Sequence, residues 1–200
     1  MNRLKKRKLM VIINQYSWSV PQENSRHHMY ADIFSKNGYK TFLITSGSKK
    51  ESVDKRKILI NKMKSELDYR IFLIGIPKFN NRILEWIYFS FAAFIKVFLI
   101  CLRDKSSIRV IYSSHVQPIS LLIGPSIKFI LPNIKIISEI RDLWPESIYK
   151  ILKWNRKRIF YKFLYCYFRS ILISSDISIT LAKKGNKYYQ IPEKNNFIWL

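Results

Sequence analysis

The sequence has few cysteines, few glycines and few acidic residues. Its two cysteines, Cys101 and Cys166, lie in separate apolar runs without a Cys-x-x-Cys spacing, which excludes a disulfide scaffold and favours a reducing compartment. The five glycines form neither G-x-G-x-x-G nor a Walker loop, so the phosphate cradles of dinucleotide-binding and P-loop proteins are absent. The sequence also contains no Asp-x-Asp pair for a divalent metal and no Ser-His-Asp or Cys-His arrangement.

The charge of the chain is strongly positive. Thirteen Asp and Glu stand against 36 Lys and Arg, for a formal net charge of +23, while 48% of the residues are hydrophobic and 15% aromatic. Such a composition excludes a disordered basic tail and indicates a folded cationic domain. Its partner must carry negative charge, as nucleic acid, an anionic membrane or a phosphorylated small molecule does. No nucleic-acid-binding module is present, so we expect a membrane surface and no nucleic acid.

Short apolar runs alternate with helical patterns along residues 1–200, which we take as one domain. The first run, Leu9–Ile13, is shorter than the about 7–15 residues of a signal sequence, so it indicates a buried strand and no secretion signal. The predicted strands are 9–13, 41–45, 70–74, 108–113, 134–140, 177–181 and 197–200. The predicted helices are 26–36, 82–103, 118–131, 147–154, 156–175 and 183–189. This alternation predicts an α/β fold with a doubly wound, mostly parallel, Rossmann-like sheet.

The apolar segment 84–102 allows three interpretations. It is long enough to span a bilayer, although Lys96 makes insertion costly. It is also consistent with an ordinary buried helix. We favour a third interpretation, a helix that packs on the sheet while its outer face touches the membrane. Basic clusters at 3–8, 49–57 and 153–162 supply the charge that attracts anionic lipid.

The loops after the strands hold the candidate chemical groups, because ligands of open α/β sheets bind at the carboxyl ends of the strands. Glu139, Arg141, Asp142 and Glu146 form a dense ionisable cluster there. A carboxylate of this cluster can act as a general base, and Arg141 can hold a phosphate or a developing oxyanion. Equally open is a structural role, in which Arg141 pairs with Glu139 or Asp142 and orders the loop.

Two further positions are candidates. His115 follows one strand and precedes a helix, either as a functional group or as a hydrogen-bonding loop residue. Arg26 opens the first helix, where it can meet an anion together with the helix amides or simply be solvated. The adjacent His27 and His28 lack further ligands at metal spacing, so no metal site is expected. The sequence Asn14-Gln15-Tyr16 is expected only to turn the loop.

Several of these segments together resemble a known family. The strand end Asn14-Gln15-Tyr16, the helix opening at Arg26, Gly38-Tyr39-Lys40-Thr41 and above all Glu139-Ile140-Arg141-Asp142-Leu143-Trp144-Pro145-Glu146-Ser147 are similar to the N-terminal, acceptor-side domain of family 4 glycosyltransferases. The subgroup that it resembles makes bacterial O-antigen, capsule and exopolysaccharide. The resemblance implies one half of a two-domain GT-B fold that works without a metal.

The resemblance also implies partners and substrates. The acceptor is a polyprenyl-diphosphate-linked sugar at the cytoplasmic face of the inner membrane, and a C-terminal domain holds the nucleotide sugar. Many relatives have a histidine where Arg141 and Asp142 stand, and a glycine-rich loop where this chain has 21–25. Since the family continues past the position of Leu200, we expect the donor domain to be missing and the isolated chain to be inactive.

Two hypotheses of function follow. In the first, the chain is the acceptor-binding part of a glycosyltransferase, peripheral to the anionic membrane, with Arg141, Asp142, Glu146 and His115 catalytic and Arg26 binding phosphate. No cofactor is expected apart from the nucleotide-sugar donor, which either a C-terminal domain missing from a truncated product or a separate donor-domain subunit would bind. In the alternative, the chain is a non-catalytic membrane adaptor for such a donor-domain protein.

Overall fold

The computed structural model describes residues 8–17, 26–46, 54, 58, 60–61, 65–115, 118–151, 159–180, 185–191 and 196–199. Most of the three basic clusters, the loop 21–25 and the outer ends of several predicted helices lie outside these ranges. Seven strands form one sheet in the order β3-β2-β1-β4-β5-β6-β7. Every neighbouring pair of strands is parallel, which confirms the doubly wound Rossmann-like prediction.

The elements follow the predicted alternation. The strands are β1 Lys8–Ile13, β2 Tyr39–Thr45, β3 Arg70–Leu73, β4 Ile108–His115, β5 Ile134–Ile140, β6 Ile177–Thr180 and β7 Asn196–Trp199. The helices are α1 Arg26–Lys36, α2 Arg82–Arg103, α3 Ile123–Ile130, α4 Glu146–Ile151, α5 Ile159–Ser174 and α6 Gly185–Tyr189. A 3-10 helix, Pro118–Leu122, precedes α3. Gly38, at φ +82°, ends the α1–β2 turn in the left-handed region, which glycine adopts without a Cβ clash.

The predicted helix over 118–131 is in fact two pieces, a 3-10 helix followed by α3. Pro125 in the first turn of α3 has no N–H to donate to the preceding turn, so the α-helical ladder cannot run through this junction. Gly124 lets α3 approach the sheet closely, since a Cβ there would lie 3.0 Å from Cγ2 of Ile136. The backbone pattern at 118–130 is therefore set by Pro125 and by contact with β5.

Alternation along the strands sends side chains into two layers. On one face Leu9, Val11 and Ile13 pack with the buried residues of α2 and α3. On the other face Met10 and Ile12 pack with α1. A third hydrophobic cluster packs Ile140 of β5, a strand from the later half of the chain, against buried residues of α5. Right-handed crossover connections explain the two helix layers. The chain first adds β2 and β3 on one side of β1 and then adds β4 to β7 on the other side, so the helices of the two halves lie on opposite faces of the sheet.

Helix α2 shows how the apolar segment is used. Asn81 caps its start by accepting a hydrogen bond from the Ile83 amide at 2.8 Å. Phe89, Ala93 and Val97 are buried in the sheet core, so the helix packs on the sheet, while contact of its outer face with a membrane stays a prediction. By length and composition this is the one helix in the described part of the chain that qualifies to cross a membrane, yet only 22% of its most apolar window is buried.

Asp176 links the helix layer to two strands. Its carboxylate accepts from Lys128 of α3 at 2.8 Å, from Lys135 at 2.9 Å and from the Ile136 amide at 2.8 Å. Burial raises the pKa of Asp176, but these three donors outweigh burial and hold the pKa below its usual range.

Asp176→Ala removes all three contacts at the start of β6. We expect the free energy of unfolding in urea to fall by about 1–2 kcal/mol at neutral pH. Asp32→Ala is the matched control, because its ion pair with Lys36 joins two exposed side chains on one helix and should matter by about 0.5 kcal/mol or less. Equal losses in the two variants would contradict the linking role of Asp176.

Candidate functional site at the carboxyl edge of the sheet

The strand order reverses between β1 and β4, and their carboxyl ends are tied together there. Asn14 Nδ2 donates to Ser114 Oγ at 3.2 Å and to the Ser114 carbonyl at 3.4 Å. The same side chain accepts from the Tyr16 amide at 3.1 Å. Asn14 therefore does more than turn the loop, because it closes the switch point where open α/β sheets bind ligands.

Glu139, near the end of β5, is a fully buried carboxylate. Its Oε1 lies 2.5 Å from Nη2 of Arg26, and its Oε2 accepts a hydrogen bond from the hydroxyl of Tyr112 on β4. Burial and the adjacent Glu139 charge raise the pKa of Tyr112 far above its usual range, so this hydroxyl remains a donor. Three elements thus meet at one ion pair, and Arg26 is fixed at the start of α1.

His27 lies beside this ion pair and carries no charge at neutral pH. Burial lowers the pKa of His27 to about 3, with further lowering by the charges of Arg26, Arg141 and His28. Among the described residues its Nε2 has no hydrogen-bond partner. Because both arginines act on the same imidazole, the positive potential of Arg26 and Arg141 reaches the same place at the sheet edge.

Arg141 and Asp142 directly follow β5, and both are exposed. One structural alternative for Arg141 was a pair with Glu139, but within the described ranges the cationic partner of Glu139 is Arg26. Arg141 is therefore available to solvent at the carboxyl edge. The structure brings Arg26, Glu139 and Arg141 to the same edge.

Glu146, the first residue of α4, is in different surroundings. It is buried, and its Oε2 accepts from the hydroxyl of Tyr161 at 2.9 Å. The hydroxyl of Tyr161 also lies 2.9 Å from the hydroxyl of Tyr188, and the ring of Tyr161 packs edge-on against Tyr149. Glu146 thus orders a tyrosine cluster between α4, α5 and α6, while its catalytic role stays a prediction.

His115 is the last residue of β4, paired in register with Ile140 of β5. Its backbone therefore lies at the carboxyl edge, and its side chain is outside the described part of the structure. In the ranges that the structure describes, no group of three or more His, Cys, Asp or Glu is placed to hold a metal ion. The residues at the edge instead offer guanidinium groups, which suit phosphate oxygens.

Sequence reasoning missed two contributors to this site. Tyr112 was treated only as a strand residue, and the Arg26–Glu139 pair joins residues 113 positions apart, so neither had a local signal. The available hint was charge placement, since Glu139 is the one carboxylate in a strand that has four isoleucines among its seven residues. A buried carboxylate in a strand requires a cation and donors from elsewhere in the fold.

Comparisons with known proteins identify the fold. No protein-family model matches the chain, and no curated protein is similar to it in sequence. Among solved structures it is similar to UGT2 of Phytolacca americana complexed with UDP-2-fluoroglucose and pterostilbene, with a TM-score of 0.57 and 9% identity over 95% of this chain and 52% of that one. A glycosyltransferase of Rickettsia africae gives a TM-score of 0.56 and 10% identity over 96% and 42%.

A third match is the N-terminal domain of Candida albicans trehalose-6-phosphate phosphatase, with a TM-score of 0.55 and 11% identity over 94% of this chain and 43% of that domain. The chain spans about half the length of these structures or less. At such low identity the similarity establishes the fold alone. The chain has a GT-B-like, Rossmann-type fold.

Proposed function

We propose that this domain is the acceptor-binding part of a family 4-type glycosyltransferase in bacterial surface-polysaccharide synthesis. Its acceptor would be a sugar on polyprenyl diphosphate, bound by a protein peripheral to the cytoplasmic face of the inner membrane. The observation that carries the proposal is the convergence of Arg26, Arg141 and Asp142 at the carboxyl edge of a glycosyltransferase-like sheet.

The arginines are the groups that bind the diphosphate in this proposal. Arg141 is exposed and presents a planar guanidinium suited to bidentate contact with phosphate oxygens. Arg26 is one-quarter exposed and held in place by Glu139, so it is preorganised beside the amides of the first turn of α1. Neutral His27 adds no charge and lines the buried side of the same region.

Asp142 is assigned to the acceptor hydroxyl. An exposed carboxylate next to Arg141 is suited to orient that hydroxyl and to take its proton as the oxygen bonds to the donor sugar. The bond that breaks joins the donor sugar to its nucleoside diphosphate, and the nucleoside diphosphate leaves with the bonding electrons. The nucleotide sugar would be bound by a separate donor domain, and catalytic roles for Glu146 and His115 remain part of the proposal.

Acceptor binding tests the proposal without any donor domain. We expect the chain to bind radiolabelled polyprenyl-diphosphate N-acetylglucosamine in nonionic micelles, and Arg141→Ala to bind it at least about tenfold more weakly, because it loses a charge-assisted contact. Equilibrium dialysis measures both affinities. Arg141 is exposed, so its replacement should leave the thermal unfolding midpoint unchanged.

Arg70→Ala is the matched control, because Arg70 is an exposed arginine at the opposite, amino edge of the sheet. Its affinity should equal that of the unmodified chain. Equal weakening in both variants would reduce the effect to general charge and contradict the assignment of Arg141. Absence of acceptor binding, together with specific binding of a purified donor-domain protein, would favour the adaptor hypothesis instead.

A further inference from the structure

We propose that the outer surface of helices α2, α3 and α5 docks on an anionic lipid bilayer, with the helices lying in the plane of the membrane interface. We call this the outer helix surface, formed by the solvent side of 82–103, 118–130 and 159–174. The inference rests on the membrane location in the proposed function, and it does not depend on sugar transfer.

Exposed apolar side chains are concentrated on this surface. Among the described residues, eighteen large hydrophobic side chains are exposed, and fifteen belong to these three segments. They are Ile83, Leu84, Ile87, Tyr88, Phe91, Ile95, Leu99, Leu102, Leu122, Phe129, Ile130, Ile159, Phe160, Phe163 and Ile173. Scattered single apolar residues are normal on protein surfaces, but a contiguous patch marks an interaction site.

The three segments form one layer on one face of the sheet. Buried residues of α2 and α3 share a core cluster with Ile134 of β5, and buried residues of α5 contact Ile140 of the same strand. Ile134 and Ile140 are an even number of positions apart, so they point to the same face. The solvent sides of α2, α3 and α5 therefore face the same direction.

Helix α2 is apolar on two sides for different reasons. Phe89 and Val97 fill the core, while Phe91 on the other side is 66% exposed. The core side cannot leave the sheet without opening the hydrophobic core, so α2 is suited to lie along a membrane and not to cross it. At about 1.5 Å per residue its 22 residues present an apolar stripe about 33 Å long.

Large apolar side chains extend the stripe across the other helices. Phe129 at the end of α3 is 92% exposed, and Ile159 at the start of α5 is 86% exposed. Phe163 lies one turn further along α5 and is also exposed. Such protruding side chains are the ones that insert at the boundary between headgroups and acyl chains.

The charges on these segments identify the occupant as anionic lipid. Together the three segments carry six Lys or Arg and one Asp or Glu. Arg82 and Arg103 flank the stripe at the two ends of α2, and Lys162 lies within the apolar turns of α5, all three exposed. A second copy of the chain would bring this positive surface against itself, which is unfavourable, whereas an anionic leaflet complements it.

Vesicle binding by the full chain tests the surface. We expect the chain to bind vesicles of phosphatidylglycerol and phosphatidylethanolamine, and the variant F91Q/F129Q/F163Q to bind them at least about tenfold more weakly. The matched control is M29Q/I33Q, which replaces two exposed apolar residues of α1 on the other face and should bind like the unmodified chain. All these side chains are exposed, and circular dichroism checks that each variant is folded.

A label gives the orientation directly. Cys166 is exposed on α5, whereas Cys101 is buried and burial raises the pKa of its thiol to about 11, so a maleimide fluorophore should react at Cys166. The emission should shift to the blue when vesicles are added and should be quenched by lipids labelled on their acyl chains. An unchanged spectrum in vesicle-bound protein would overturn the proposed orientation.

The remaining outcomes also separate the alternatives. Binding that is lost on R82Q/R103Q/K162Q but kept in the triple phenylalanine variant would indicate surface charge alone and overturn docking by the apolar stripe. A stable dimer that shields the label and binds no vesicles would assign the surface to a second copy. The vesicles contain no polyprenyl-diphosphate sugar. Failure of the chain to bind vesicles would therefore not decide the result of the acceptor-binding test.

Discussion

Replacement of Glu139 by alanine is expected to lower the free energy of unfolding by about 3 kcal/mol. Glu139 is fully buried, and its removal leaves the guanidinium of Arg26 and the hydroxyl of Tyr112 without their partner. We place the loss at the lower end for a broken buried pair, because Arg26 is 24% exposed and water can solvate it in part. Urea unfolding followed by circular dichroism at neutral pH measures the change.

Two further variants separate the causes of that loss. Glu139→Gln keeps the shape and can still accept from Tyr112, so we expect a smaller loss than for alanine. Glu66→Ala removes an exposed glutamate and should change stability by about 0.5 kcal/mol or less. If Glu139→Ala and Glu66→Ala have the same stability, Glu139 does not hold this edge of the sheet together.

The second large effect is a dependence of stability on pH that originates at His27. Burial lowers the pKa of His27 to about 3 in the folded state, from the ordinary value of 6.5 for histidine. Between these two pH values the unfolded chain binds a proton that the folded chain does not bind. Stability therefore falls as the pH falls, by up to about 1.4 kcal/mol per pH unit from this one group.

The variant His27→Gln removes this proton uptake. We expect its free energy of unfolding to fall less between pH 6 and pH 4 than that of the unmodified chain. The difference between the two slopes should correspond to the uptake of close to one proton per molecule on unfolding. Asp104 and Asp176, whose pKa values lie below the usual 3.8, are unchanged in this variant, so their contribution at the acid end of the window cancels in the comparison. Met29→Gln, an exposed change on the same helix, should keep the original slope, and an unchanged slope in His27→Gln would exclude His27 as the source.

Much of the candidate site could be predicted from the sequence, because the relevant rule depends only on where a residue lies relative to the strands. Residues that follow strands in a parallel sheet arrive at one edge, and this places Arg141 and Asp142 where the structure has them. The partner of Glu139 was not readable in the same way. Arg26 and Tyr112 reach it from separate elements, and the neutral state of His27 depends on burial that only the folded chain creates.

The same division holds for the apolar segment 84–102. Its composition allowed a span, a buried helix or a helix that packs on the sheet while its outer face touches the membrane, since hydropathy counts residues without regard to direction. The structure shows that one side of the helix packs on the sheet, because Phe89, Ala93 and Val97 are buried there, and contact of the outer side with a membrane stays a proposal.

The sequence by itself determined the parallel α/β sheet, its strands and the edge at which charged loops meet, because apolar periodicity and turn residues act locally. Only the tertiary structure decided which charges pair and which apolar residues remain exposed. Those outcomes depend on distances between segments far apart in the chain. Among the described residues, the positive charge includes Arg141 at the sheet edge, Arg26 paired with Glu139, and cations beside an exposed apolar helix layer.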